Sequence, residues 1–427
     1  MWPSGADGPS AEPAMMLAFA PLALLAIHAT VGAATTRPNL MFMMTDQQRW
    51  DTMSAVTPSL ATPNMDRIAK EGVLFKWGYS STPTCTPARA AILTGQKPWN
   101  HGSLGAVNVA YTYPFEMPVT LVSLGYSTTS IGKDHFGWVS GPDGTVTHDG
   151  PDAGTCVGNG DERGDTLADG DGEGAAADVG QGFPPPYGPD KGYGVPHGYQ
   201  QTSLYDGIVA EQDDYHQYFM REMGGKEPET GWPQLDMNSW RGEPYAYANE
   251  SLHPTAWVGQ QAVDFITDRA PFISNASFKD APWFLKISFH RPHSPYDPPQ
   301  RFIDKTPLSS LRPVYTCAKG DPLGWDDVFS DNSDANGCGP QKLDAWCGAM
   351  PANDSAFARR CYQANIAFID EWVGKILDAL TATAQLENTY IVWAGDHGDG
   401  QSDHYHWCVV PEHALDTQTA PLLLPFL

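Results

Sequence analysis

Basic residues are scarce in this chain. Its 427 residues hold 25 Lys and Arg against 50 Asp and Glu, a formal net charge of −25. A field of that sign repels a phosphate backbone, which excludes general nucleic-acid binding. Long apolar runs are lacking as well. The run from Ala14 to Ile27 is broken by Pro21 and is too short to anchor a mature chain, so no stable membrane span is expected. No internal repeat is visible, which excludes a repeat array. Large apolar residues are few between Gly141 and Gly194, where Gly, Asp and Pro dominate. That stretch (141–194) reads as an acidic surface insertion without a core of its own. Its carboxylates from Asp165 to Glu173 do not meet the spacing of a calcium loop.

What is present fits one large α/β domain with an appendage. Residues 1–34 read as a secretory signal peptide, with small residues Gly32, Ala33 and Ala34 at the cleavage site. The leader carries Asp7 and Glu12 and no basic residue, so a disordered leader or a misassigned start stays open. Seven cysteines suit a secreted protein or an endomembrane, lysosome-like lumen. With Cys85 set aside, Cys156, Cys317, Cys338, Cys347, Cys361 and Cys408 permit three disulfides, and sequence does not choose the pairing. Asn249, Asn275 and Asn353 each head an Asn-x-Ser acceptor for a glycan.

Short strand-like segments mark the scaffold. Leu40–Met44 reads as a buried parallel strand, Ser127–Ile131 and Trp283–Phe289 as further strands, and Tyr390–Ala394 as a final buried strand. A helix opens at Thr62-Pro63 and closes at Gly72, and helical spacing runs from Ala356 to Leu380. Each strand ends in a polar cluster: Thr45-Asp46, Gly132-Lys133, His290-Arg291-Pro292-His293, and Gly395-Asp396-His397. Open α/β sheets bind ligands at the carboxyl ends of their strands, so these clusters are expected to share one site.

The most specific stretch is Cys85-Thr86-Pro87-Ala88-Arg89. Pro87 suits a first helical turn and Gly95 suits the residue after a helix end, so Cys85 is expected at a helix N-terminus. Unpaired amides there favour negative charge, and Arg89 lies one turn further on. This combination places a nucleophile beside an anion cradle.

Cys-x-Pro-x-Arg before a short helix resembles the signature of the type I sulfatases, in the alkaline-phosphatase-like superfamily. The surroundings resemble that family in order. They are Pro38-Asn39-Leu40 through Asp46-Gln47, Thr62-Pro63-Asn64-Met65-Asp66, Thr94-Gly95 through His101-Gly102, Gly132-Lys133-Asp134-His135, Pro292-His293-Ser294-Pro295 and Gly395-Asp396-His397-Gly398. The resemblance implies a mixed, mostly parallel sheet flanked by helices over residues 35–427. It also implies hydrolysis of a sulfate monoester (sugar, aryl or alkyl). Cys85 would be oxidised to Cα-formylglycine by a formylglycine-generating enzyme. One hydroxyl of the hydrated aldehyde would attack sulfur; loss of the second hydroxyl's proton would then expel sulfate. Asp46, Gln47, Asp396, His397 and the residue-85 oxygen would hold a divalent cation, and oxygen-rich ligation places calcium ahead of magnesium. Lys133 would neutralise sulfate oxygens, His135 support the nucleophile, and Arg89 fix the nucleophile and metal ligands. His293 would contact the substrate or protonate the leaving group. On an extended segment Lys133 and His135 would point the same way. His290 and His101 are read as supporting or structural residues.

Four departures matter. Gln47 stands where the family commonly has a second aspartate, and His397 where it often has asparagine. Gln401–Pro421 holds no Lys or Arg where a sulfate-contacting lysine is usual, a contact worth roughly 2–4 kcal/mol. His404, His406 and His413 are the candidates to stand in for it. The family's smaller C-terminal subdomain has no counterpart before Leu427. Two other readings therefore stand beside the sulfatase: a phosphodiesterase or phosphonate monoester hydrolase of the same superfamily, and a catalytically impaired homologue that binds sulfated glycans.

Overall fold

A computed structural model describes residues 37–104, 109–110, 112–136, 197–205, 213–226, 240–273, 275–316, 332, 338–341, 345–407 and 422–425. The leader, the acidic insertion, Cys156, Cys317, Cys408 and His413 lie outside the described residues. In chain order the elements are β1 (Asn39–Asp46), α1 (Pro63–Glu71), β2 (Gly72–Phe75), α2 (Cys85–Thr94), α3 (Pro98–His101), α4 (Met117–Ser123), β3 (Ser127–Gly132) and β4 (Gln201–Leu204). They continue with α5 (Asp214–Glu222), α6 (Pro254–Thr267), β5 (Trp283–Pro292), α7 (Gln300–Lys305), α8 (Ala352–Ala382), β6 (Thr389–Gly395) and β7 (Leu422–Pro425). Short 3₁₀ turns join several of them.

The strands form one sheet in the order β2-β7-β6-β1-β5-β3-β4. β1 pairs in parallel with both β5 and β6, and β3 pairs in parallel with β5 and β4. β7 is antiparallel to both β6 and β2, so it alone opposes the other strands. All four strands expected from the sequence are present, and they are the adjacent members β6, β1, β5 and β3.

β5 is buried along its whole length. Its alternation sends Trp283, Leu285, Ile287 and Phe289 into the main core and puts Lys286, Ser288 and His290 on the opposite face. α8 packs on α6, α1 and β5 through the predicted stripe of Ile366, Ile369, Val373, Ile376, Leu377 and Leu380, all buried. The first turn of α1 has no cap from its own Thr62. Asp370 of α8 supplies one instead, its carboxylate accepting from Asn64 N at 3.1 Å and Met65 N at 2.7 Å. Among the described residues no helix is long and apolar enough to cross a membrane.

Cysteine pairing differs from the even count. Cys338 and Cys347 are bonded, but Cys361 is a buried free thiol on the inner face of α8. The backbone at Gly242 lies against it so closely that an added Cβ would fall 2.8 Å from its Sγ. Three disulfides from those six cysteines are thus not realised.

Gly132 sets how β3 delivers Lys133. Its φ is +92°, and a Cβ there would lie 2.0 Å from the Ser288 carbonyl oxygen of β5. That oxygen also accepts the Lys133 N–H at 2.9 Å. Gly132→Ala should therefore cost at least about 3 kcal/mol, from the strained backbone and the displaced strand together. Chemical denaturation of the two proteins checks this; an unchanged midpoint would mean the strands are not in the contact described.

Candidate active site

Four neighbouring strand ends and one helix start meet at a single point. Asp46 closes β1, Lys133 follows β3, His293 follows β5, Asp396 and His397 follow β6, and Cys85 opens α2. Ligand atoms of Asp46, Cys85, Asp396 and His397 all lie within 4.8 Å of one another, and all four residues are buried. The helix start is as expected. Gly95 caps the other end of α2 at φ +67°, its N–H bonded to the Ala91 carbonyl at 2.8 Å.

Cys85 is 7% exposed, and its Sγ lies 3.3 Å from Asp46 Oδ1 and 3.0 Å from His397 Nε2. Burial, followed by the Asp46 carboxylate, pushes its thiol well above the usual range. The unmodified side chain is consequently a neutral thiol, not the thiolate that its helix N-terminus alone would favour.

Arg89 ties the strand ends together. Its Nε donates to Asp396 Oδ2 at 2.9 Å, and its Nη1 to the Lys133 carbonyl at 2.8 Å and Ser288 Oγ at 2.9 Å. Its Nη2 lies 3.6 Å from Asp46 Oδ2. Lys133 Nζ meets the same Asp46 oxygen. Burial raises the Asp46 pKa, but Lys133, His293, Arg89 and His397 outweigh it and hold the carboxyl well below its ordinary value. Burial likewise depresses Lys133, and Asp46 and Cys85 together more than offset it, so the ammonium is kept. Two carboxylates (Asp46, Asp396) thus face two fixed cations (Arg89, Lys133).

These residues fit a divalent cation. His397 Nδ1 lies 2.8 Å from the Gly398 carbonyl, which can only accept, so the ring proton is there and the Nε2 lone pair faces Asp46, Asp396 and Cys85. Gln47 is fully buried in the loop after β1, at φ +62°. Its N–H donates to Asp396 Oδ1 at 3.0 Å and its carbonyl accepts from the Tyr362 hydroxyl at 2.6 Å. Those bonds hold a left-handed backbone that a glutamine does not adopt without support.

The histidines separate by what their rings face. His293 Nδ1 donates to the Ser294 carbonyl at 2.7 Å, and burial and Lys133 lower its pKa to about 3. Its Nε2 therefore carries no proton at neutral pH in the free protein. Burial and Lys133 also depress His135 well below its ordinary value, with Asp46, Arg89 and His293 acting on it too. The expected extended geometry fails at that residue: β3 ends at Gly132, and His135 has φ +50°. It comes to the site by a turn. His101 is structural, its Nδ1 accepting the Ser103 N–H at 3.2 Å. His404 packs on Tyr315 and His406 on Trp346.

Sequence reasoning names His290 as a supporting or structural residue but misses Ser288 and Tyr362. Ser288 receives Arg89, while Asp134 turns away from the site to Ser130 and Lys286. His290 lies beside His293, ring centroids 4.7 Å apart. A signal was present: Lys286, Ser288 and His290 are polar at every second place of an otherwise apolar strand. Tyr362 carried none, lying in the helical stripe of α8.

The sulfatase family model matches residues 38–421, and the chain belongs to that family. It is 29% identical over 384 residues to an arylsulfatase of Clostridium perfringens, covering 86% of this chain and 64% of that protein. It is 25% identical over 377 residues to an uncharacterised sulfatase of Escherichia coli, covering 86% and 58%. The chain thus spans less than two thirds of these relatives' length. Its fold resembles a phosphonate monoester hydrolase of Agrobacterium radiobacter, with TM-score 0.63, 22% identity, and coverage of 91% of this chain and 68% of that one.

A cation bound among Asp46, Asp396 and His397 should stabilise the fold by mass action. At about 100 times its Kd the gain is about 2.7 kcal/mol. Asp396→Asn, which keeps the shape and removes the charge, should abolish that gain in a thermal melt with and without chelator. A full shift surviving in the variant would put the cation elsewhere.

Proposed function

We propose that this protein hydrolyses sulfate monoesters through a hydrated formylglycine at position 85, with calcium held by Asp46, Gln47, Asp396, His397 and the residue-85 oxygen. The observation that carries the reading is the position of Cys85 on the first turn of α2, against Asp46 and His397. A neutral, buried thiol is a poor nucleophile, and a thiol adduct has no second hydroxyl through which sulfate could be expelled. Calcium, when bound, supplies Lewis acidity that lowers the pKa of such a hydroxyl and steadies substrate oxygens. The donor set of two carboxylates, an amide oxygen and one imidazole is oxygen-rich, as calcium prefers.

The remaining steps belong to the chain's own side chains. Lys133 neutralises sulfuryl oxygens, its charge maintained by Asp46. Arg89 keeps both carboxylates and the Lys133 backbone in place. His135 and His293 are both neutral at the site's edge. An unprotonated His293 Nε2 accepts a proton first, so it acts as leaving-group acid only after collecting one during turnover. With Asp46, Asp396, Arg89 and Lys133 cancelling in charge, a divalent cation leaves the site net positive, which suits an anionic ester inside an acidic protein.

Conversion of Cys85 by a formylglycine-generating enzyme precedes closure of the fold, since the folded side chain is out of reach. Passage through a secretory lumen is the accompanying proposal, supported by the Cys338–Cys347 bond and by exposed glycan acceptors. At Asn249 and Asn275 the amide oxygen accepts from both the N–H and the hydroxyl of the acceptor serine. The phosphonate monoester hydrolase of like fold keeps a second reading in place, hydrolysis of phosphonate or phosphate esters.

Two measurements test this. Mass spectrometry of the peptide containing position 85, from protein secreted by a eukaryotic host, should show aldehyde in place of thiol and glycans at Asn249 and Asn275. An unconverted thiol leaves only the glycan-binding reading. Relative kcat/KM on 4-nitrophenyl sulfate against matching phosphate monoesters, diesters and phosphonate monoesters should favour the sulfate by at least about tenfold. A preference for any phosphorus ester transfers the assignment to the second reading.

A further inference from the structure

His290 has no part in the chemistry assigned to Asp46, Lys133, Cys85 and His293, yet it is built into the same site. It is 2% exposed, and a ring nitrogen lies within 4.8 Å of donor atoms of both Asp46 and His293. Its Nδ1 is 2.6 Å from Arg291 Nη1. A guanidinium only donates, so Nδ1 accepts and the ring proton is on Nε2. Arg291 is itself fixed: its Nε and Nη2 donate to the two oxygens of Asp297 at 2.7 and 2.9 Å. Arg291 and Asp297 are wholly buried, and His253 approaches the same carboxylate at 3.5 Å. This chain of contacts, Asp297 to Arg291 to His290, locks one tautomer.

The consequence is a buried N–H without a partner. Among the described residues His290 Nε2 has no hydrogen-bond partner. Buried donors in native proteins are almost always satisfied, and an orphan in a ligand site is satisfied by the ligand. Nε2 itself does not suit a metal ion in this tautomer, because it holds the proton. His293 presents the opposite tautomer, a bare Nε2, so the two neighbouring rings offer one donor and one acceptor.

Resting on the sulfatase reading above, we infer that His290 contacts the substrate, its Nε2–H donating to an oxygen of the transferred sulfuryl group. The donor keeps its proton throughout, since losing it would leave an imidazolate. Its work is orientation and charge stabilisation beside Lys133.

Two amide substitutions separate this role from a structural one. In His290→Gln the amide nitrogen reaches the place of Nε2. In His290→Asn the amide reaches only the place of Nδ1, so it can satisfy Arg291 but not the substrate. Kinetics with 4-nitrophenyl sulfate and inhibition by inorganic sulfate are the readouts. Asn should lower kcat/KM by about 10- to 100-fold and weaken sulfate inhibition in parallel, while Gln stays within about threefold of wild type. Asn equal to or better than Gln, both variants at wild-type level, or both equally impaired overturns the proposal. A second measurement needs neither turnover nor a variant. In ¹⁵N-histidine-labelled wild-type protein, His290 should show the Nε2-protonated tautomer and shift when inorganic sulfate is added. An Nδ1-protonated ring, or no response at saturating sulfate, also overturns it. If wild type hydrolyses no sulfate ester, the sulfatase reading fails, and the labelled protein with sulfate or phosphate still decides on His290.

Discussion

Everything at this site is organised around one guanidinium. Arg89 donates to a carboxylate after β6, a carbonyl after β3 and a hydroxyl of β5, and its charge faces the carboxylate that ends β1. Four segments far apart in sequence are thereby set relative to α2 and to the residue that opens it. Such a cluster is not a source of stability. Burying charges costs several kcal/mol per ion, and pairing at best repays it. What the cluster supplies is position, because each partner has one geometry in which the arginine is satisfied. A lysine there would keep the charge and lose the fork that reaches several partners at once.

The sheet explains how so polar a site coexists with a firm core. Alternation on β5 gives one face to Trp283, Leu285, Ile287 and Phe289 and the other to Lys286, Ser288 and His290. The apolar face holds α6 and α8 down, and the polar face carries the partners of Arg89 and Asp134. Because both functions lie on one strand, tightening the core also tightens the site. The close approach of Gly132 to Ser288 extends the same logic to β3, whose last residue delivers Lys133.

Much of this was legible in the sequence, for local reasons. Strand-like segments that stop abruptly at Asp46, Lys133, His293 and Asp396 identify strands and their functional ends together. A cysteine, a proline and a glycine placed the helix start and its end correctly. What depended on contacts across the chain was not legible. β7 pairs with β2 across almost the whole sequence, and the α1 cap comes from Asp370, some three hundred residues away. The extended reading of Lys133 and His135 failed because spacing assumes a strand that had already ended at Gly132. Cysteine parity failed for a similar reason. A count carries no information on which thiol the packing of Gly242 seals into the core.

The glutamine at position 47 closes the electrostatic argument. A second carboxylate there would make the fixed charges of the site negative, and a divalent cation would leave a single positive charge to meet an anionic ester. With Gln47, Asp46 and Asp396 are cancelled by Arg89 and Lys133, and the whole charge of a bound cation would be available to an anionic substrate. In a protein carrying a net −25 that difference is large, since the approaching anion must first overcome the surrounding field. The left-handed backbone at Gln47, held by Asp396 on one side and Tyr362 on the other, fixes where that neutral side chain begins. Local neutrality before a cation binds would let an acidic protein present that cation's full double charge to a negatively charged substrate.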